Sequence, residues 1–331
     1  MAWGALSQRG SAVDALWRFD FNGAISATPV LSGGKLLVAC EDGTLYALHA
    51  KTGKPLWKFS AVFPLTSSPF AWGNLMLFGC DDHNVYAVDA TTGKEVWRFA
   101  TDAPVSSPPR VARGVAYVGS DDGNLYALDA ARGQLLWRFA ARGPIHAAPA
   151  IAEGVVYVAS QDRCLYAVDA LRGEEKWKFE AGDSIFSSPA IANGKIIFGS
   201  DDGFIYAVDK DTGQRVWRHR TAGIVRAAPT IEDDTVFIGS DDGKLRALYG
   251  ETGTTRWTFD AQSPIHTQPT LSDGCVLFGC DAGVVYALDE VKGALRRKFQ
   301  VSGRVDASIV VDEATFVATT DGRLYALPTL K

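Results

Sequence analysis

Short apolar runs alternate with polar residues along almost the whole chain, and the runs recur in groups of four. PVSSPPRVA, GVAYVGS, NLYALDA and QLLWRFA form one such group. Each run has a period of two, is too short for a helix, and is bounded by Gly, Pro, Asn or Asp. Each group therefore predicts four short strands, A to D in chain order. The Asp-Gly of SDDGN between B and C predicts a two-residue type I′ hairpin, whose central residues both need positive φ. DAxxG between C and D predicts a longer turn, with Gly as its left-handed residue.

The groups are copies of one unit. Trp17, Trp57, Trp97, Trp137, Trp177, Trp217 and Trp257 are each 40 residues apart, and the next step lands on Arg297 inside RRKF. That makes eight units, each an antiparallel sheet that cannot bury both faces alone. Packing all eight around an axis solves the problem, so the chain is expected to be an all-β, eight-bladed β-propeller. Pro29, Pro69, Pro109, Pro149, Pro189, Pro229 and Pro269 share one phase of strand A. Proline cannot donate to a ladder, so A is an edge strand and lines the central channel, while D forms the outer edge. The last unit, Arg304 to Leu327, supplies only A, B and C, whereas the chain opens with a lone D-type strand, ALWRFD, around Trp17. The N-terminal strand is therefore expected to complete the last blade, with residues 1–12 as an extension and 13–331 as one propeller. Burying each Trp removes about 200 Å², a gross gain of about 5 kcal/mol, which welds neighbouring blades. Arg297 removes one weld, so the junction between blades 7 and 8 is expected to be the weakest.

Charge and cysteine content narrow the partners. Lys and Arg total 33 against 38 Asp and Glu, a net charge of -5, which argues against nucleic acid. No apolar run is long enough to span a membrane, and MAWGALSQRG lacks the basic start and apolar middle of a signal peptide. The chain as given reads as cytoplasmic, with an exported domain whose leader has been removed as the alternative. The five cysteines are odd in number and form no C-x-x-C spacing, so neither a disulfide framework nor a cysteine metal site is expected. Cys40, Cys80 and Cys280 share a phase with Ser120, Ser160, Ser200 and Ser240, as a slot for a small residue would.

The pattern AxDxxTGxxxW, met in AVDATTGKEVW and more loosely in ALDAARGQLLW, resembles the tryptophan-docking motif of the pyrroloquinoline-quinone-like propeller repeat family. The resemblance runs from about Val13 to Leu327 and implies eight blades. It leaves function open, because the family includes quinoprotein alcohol dehydrogenases, the scaffold lipoprotein of the outer-membrane barrel-assembly machinery, and sensor domains of bacterial kinases. The dehydrogenases carry long insertions, an adjacent cysteine pair and a calcium site. This chain has bare repeats and no adjacent cysteines, so no quinone and no other cofactor is expected.

One phase breaks the template. Near the start of strand A stand Ser26, Thr66, Ser106, His146, Phe186, Arg226, His266 and Asp306, flanked on one side by Ile, Leu or Val and on the other by Ala, Ser or Thr. Strand alternation puts this phase at the end of the channel that also carries the B-to-C turns. The mouth is thus lopsided: small hydroxyls on one arc, and a guanidinium, an aromatic face, two imidazoles and a carboxylate on the other. Pairing across the A-to-B hairpin is expected to set Arg226 against Asp241, His266 against Asp281 and His146 against Gln161. In the B-to-C turns, Arg163 of QDRC and His83 are expected at the same rim.

Two functions follow from this constellation. The first is a scaffold, sensor or binding module, holding a small anion or a peptide or protein partner at the mouth. Arg226 would anchor it, with Phe186, Ser26, Thr66, Ser106, Arg163 and His83 as further contacts and Asp241, Asp281 and Gln161 behind them. The second is a metal-independent lyase, isomerase or hydrolase with His146, His266 and Asp306 as catalytic residues and Arg226 stabilising negative charge. A metal held by His146, His266 and Asp306 ranks last, because ligands up to four blades apart would have to converge.

Overall fold

The computed structural model describes residues 15–329 together with the two-residue strand Leu6–Ser7. Apart from that strand, the expected extension 1–12 lies outside the described residues. Blade 1 consists of Val30–Ser32, Lys35–Cys40, Thr44–His49 and Pro55–Ser60, paired antiparallel in that order. The same order repeats through blade 7, which ends with Leu295–Gln300. In blade 8, Val310–Val311, Thr315–Thr319 and Arg323–Leu327 are completed by Trp17–Asp20. Trp17 pairs with Ala326 and Asp20 with Arg323, so the N-terminal strand closes the ring. Leu6–Ser7 adds a fifth strand outside it. Among the described residues no helix is long and apolar enough to cross a membrane.

The turns differ from the sequence expectation in an informative way. At the B-to-C turn only the Gly, for example Gly43 at φ 79, is left-handed, and Gly43 N–H donates to the Cys40 carbonyl at 3.1 Å. This is a type I turn followed by a left-handed Gly, the three-residue hairpin, rather than type I′. Asp42 stays right-handed because its side chain is engaged. One oxygen accepts the Thr44 N–H at 2.9 Å and the other accepts the Tyr46 hydroxyl at 2.6 Å. The same Asp–Tyr clamp recurs at Asp82–Tyr86, Asp122–Tyr126, Asp162–Tyr166 and Asp202–Tyr206, and Arg246 replaces the Tyr against Asp242. The second Asp of SDDG is therefore structural. Paired positive φ values occur instead in the A-to-B hairpins at the opposite end, as at Arg113 (51) and Gly114 (78).

The Trp series joins blades as expected. Trp97 Nε1 donates to the Ala130 carbonyl of the next blade at 3.1 Å, and its ring covers Gly133 of that blade's C-to-D turn. Trp17, Trp57 and Trp257 repeat the contact. Arg297 is exposed. It has no such turn to meet, because strand C of blade 8 takes its D partner from the other end of the chain. The missing weld is thus a consequence of how the ring closes. Val301, Val305, Val317 and Tyr325 still form a continuous apolar cluster between blades 7 and 8. All five cysteines are buried, and among the described residues none forms a disulfide. Cys40 fills the small-residue slot, donating to the Gly23 carbonyl at 3.4 Å, and burial pushes its thiol up to about 12.

The start of strand A is clamped on both sides of the variable phase. Ile25, Leu65, Val105, Ile145, Ile185, Val225, Ile265 and Val305 are all fully buried. Where the preceding blade ends strand B with Gly, the side chain fills that space: a Cβ at Gly119 would collide with Ile145, and one at Gly199 with Val225. On the other side Ser67, Ser107, Ser187 and Thr267 are buried too, with Ser107 donating to the Ala147 carbonyl one blade on at 2.9 Å. Between two locked neighbours the variable residue is left free to differ, and at four units, Phe186, Arg226, His266 and Asp306, it lines the central cavity.

Candidate functional site

The rim residues fall into two groups by length. Ser26 Oγ donates to Glu41 at 2.9 Å and Thr66 Oγ1 to Asp81 at 3.0 Å, each within its own blade. The longer side chains lean the other way, onto the B-to-C turn of the preceding blade. His146 Nε2 lies 2.8 Å from Asp121, not against Gln161. Arg226 binds Asp201 through two donors, Nε to Oδ1 at 3.0 Å and Nη2 to Oδ2 at 2.8 Å, not Asp241. His266 sits between two carboxylates, with Nδ1 3.4 Å from Asp241 and Nε2 3.5 Å from Asp281. The residue one position earlier is buried at every unit, and Ile145, Val225 and Ile265 are seated in the preceding blade, within reach of whose turn only the longer side chains come. Because His146 takes Asp121, Ser106 makes no bond to that acid.

Asp306 is engaged by Arg304, with Nη2 to Oδ2 at 2.7 Å, rather than by either imidazole. His146 and His266 do not meet, since Phe186 and Arg226 stand between them on the ring. His146 packs edge-on against Phe186 at 5.7 Å, and the Arg226 guanidinium stacks 4.4 Å over the Phe186 ring. Arg163 turns to the outer strand of its own blade and pairs with Glu180 at 2.7 Å. Neither Arg163 nor His83 is among the residues lining the central cavity, and both hold left-handed turn positions where the template has Gly. Gln161 engages its neighbours through its backbone: its N–H donates to the Pro144 carbonyl at 3.0 Å and its carbonyl accepts the Ser184 hydroxyl at 3.0 Å.

Electrostatically the mouth is acidic. Glu41, Asp81, Asp121, Asp201, Asp241, Asp281 and Asp306 surround it, against the guanidiniums of Arg226 and Arg304 and the two imidazoles. Burial raises the Asp81 carboxyl above its ordinary range, opposed by the Thr66 hydroxyl and reinforced by Asp121 and Glu41. Burial likewise raises Asp241, with His266 and Arg226 opposing. Arg226 is held more firmly protonated, mainly by its hydrogen bonds to Asp201.

Below the rim, strand A lines a central cavity of about 840 Å³ whose wall includes Phe186, Arg226, His266 and Asp306. The next inward-facing layer reads Thr28, Ser68, Pro108, Ala148, Ser188, Ala228, Gln268 and Ser308, and several of these are tied blade to blade. Ser68 accepts the Thr28 N–H at 2.8 Å, and Ser308 accepts the Gln268 N–H at 3.2 Å. The layer below reads Val30, Phe70, Arg110, Ala150, Ala190, Thr230, Thr270 and Val310. Arg110 is the single charge in it. The signal was present in the sequence, as one charged residue in an otherwise uncharged phase of the channel strand.

Eight blades around a central channel, seven of their junctions carrying a docked tryptophan, define a repeat propeller whose variable chemistry is gathered at one mouth. The chain belongs to the pyrroloquinoline-quinone-like propeller repeat family. The family model described as beta-alanine-activating enzyme, beta-propeller, matches residues 7–211, and the model described as outer membrane protein assembly factor BamB matches 181–270 and 201–330. Among solved structures, the computationally designed Ika8 protein superposes with a TM-score of 0.85 at 21% identity, covering 94% of this chain and 98% of its own. BamB from Moraxella catarrhalis superposes with a TM-score of 0.80 at 19% identity, covering 98% of each chain. A search of curated proteins returns no significant match. At these identities the structural likenesses speak for the fold alone, and the designed protein shows that the fold stands apart from any particular natural task.

Proposed function

We propose that this chain is a scaffold propeller that binds a peptide segment of a protein partner at the channel mouth, seating a cationic group of that partner among the mouth carboxylates. The observation that carries the reading is the surplus of carboxylates around an opening whose main guanidinium is already occupied. Asp201 takes two donors of Arg226 and Phe186 covers one of its faces. That leaves little of Arg226 to anchor an anion, so the peptide arm of the sequence expectation is favoured over the small-anion arm. A lysine or arginine side chain would find carboxylates at Asp241 and Asp281, which His266 approaches only to 3.4 and 3.5 Å and Arg304 only to 3.6 Å, and a flat apolar surface on Phe186. The family model described as an outer membrane assembly factor supports a scaffold role, and with it the exported alternative for the compartment. The buried thiols weigh little against export, because burial removes them from oxidants as well as from partners. For the catalytic reading, each imidazole has a carboxylate beside it, but His146, His266 and Asp306 are held by separate partners and do not form one set.

The test is a titration of the folded protein with a labelled Gly-Lys-Gly-Lys peptide amide and with its Glu counterpart. The cationic peptide should bind, and Asp241→Asn with Asp281→Asn should weaken it about tenfold. Tighter binding of the anionic peptide, or a double variant that binds as the parent does, would remove the proposal.

A further inference from the structure

Towards the end of the channel opposite the rim, the wall holds a guanidinium that no carboxylate pairs among the described residues. Arg110 lines the cavity as the first residue of the strand Arg110–Ala112, four residues along the chain from the rim position Ser106 and two inward-facing layers below it. Its Nη1 donates to the Pro109 carbonyl at 3.1 Å, and its Cζ lies 5.5 Å from the centre of the Phe70 ring. A guanidinium has five N–H donors, so most of the fork is uncommitted. Among the described residues no carboxylate pairs with it, in contrast to Arg226 and Arg304 at the rim, which are both engaged. Burial alone acts on its ionisation and pushes it downward, the sense expected of a cation held without compensation. Leaving a partly buried guanidinium unpaired is costly, and an anion in the cavity would relieve that cost.

We infer that Arg110 is the anchor of a second binding site, deep in the channel, for a small monocarboxylate with an apolar or aromatic body. The planar fork matches a carboxylate through two parallel N–H bonds. Phe70 and the alanines at 150 and 190, which line the same level, suit an apolar body rather than a second charged group. The cavity, at about 840 Å³, has room for a molecule of that size. The carboxylates at 81, 201 and 241 make one end of the channel negative, so a dianion in the cavity meets more repulsion than a monoanion does. The site is independent of the peptide reading of the mouth, since it uses neither Asp241 nor Asp281.

Benzoate and its neutral isostere benzamide provide the test, followed by saturation-transfer NMR and calorimetry on the full chain. Benzoate should bind saturably and benzamide should not, and terephthalate, the dianion, should bind more weakly than benzoate. Arg110→Gln should lose at least tenfold in benzoate affinity, and Arg110→Lys should fall between. Circular dichroism and the melting temperature of each variant report whether the fold is retained; the Gln variant should be no less stable than the parent because it removes an uncompensated charge. Absence of saturable benzoate binding to the parent protein overturns the inference. So does equal binding of benzamide, or benzoate affinity that survives in a folded Arg110→Gln variant.

Discussion

Trp97→Ala and Arg297→Trp form a pair of substitutions whose outcomes should differ in kind. Trp97 is 8% exposed, so folding removes nearly all of a large aromatic surface from water. At roughly 200 Å² and 25 cal/mol per Å² this is a gross gain of about 5 kcal/mol. The indole N–H bond to Ala130 adds about 1 kcal/mol. Partial collapse of the site recovers some of this, so truncation should cost about 3–5 kcal/mol. With an unfolding entropy of about 2 cal/mol/K per residue, that corresponds to a fall of about 4–7 °C in the melting temperature. The docking surface is equally specific: a Cβ at Gly133 would lie 2.5 Å from Trp97 Cε3. Arg297→Trp restores the repeat at its one exception, yet blade 8 offers no C-to-D turn to receive the ring. Its effect should stay within about 0.5 kcal/mol, as for an ordinary surface change. Denaturant melts give both numbers, and hydrogen exchange locates the change. Protection in the parent should be lowest at the junction of blades 7 and 8, and Trp97→Ala should lower it between blades 2 and 3. A stabilisation of more than about 1 kcal/mol by Arg297→Trp would refute the link between ring closure and the missing weld. A cost below about 1 kcal/mol for Trp97→Ala would refute the weld itself.

Two further outcomes follow from the turns and the rim. Tyr206→Phe removes the 2.6 Å bond to Asp202 while leaving that acid bound to the Gly182 N–H at 2.7 Å, and should cost about 1.5–3 kcal/mol in a denaturant melt. Asp81 has a folded-state carboxyl raised by burial. The stability that its proton binding contributes is therefore full below the unfolded value of about 4 and is lost as pH rises through the higher folded value. Asp81→Asn should accordingly gain on the parent, by up to about 1 kcal/mol, between pH 4 and pH 7. A difference that shrinks over that range would contradict the assignment.

Covalent order and hydrophobic period sufficed for the architecture because every repeat states the same choices independently. The Trp and Pro phases, the DAxxG turn and the lone strand around Trp17 all agree on eight blades closed by the N-terminal strand. The variable phase from Ser26 to Asp306 was legible for the same reason: a constant template makes one changing position visible. What the chain order alone left undecided was the direction in which those side chains turn. His146 and Arg226 reach acids 25 residues back, Asp121 and Asp201, rather than Gln161 and Asp241, 15 ahead, with Ile145 and Val225 wedged into the preceding blade. The same limit applied to the turn of SDDG, where the Asp–Tyr clamp keeps the Asp right-handed, and to Arg110, whose want of a carboxylate partner is a property of its surroundings in space. Periodicity along a strand determines which residues share a face; only the packing of one blade on the next decides what each of them meets.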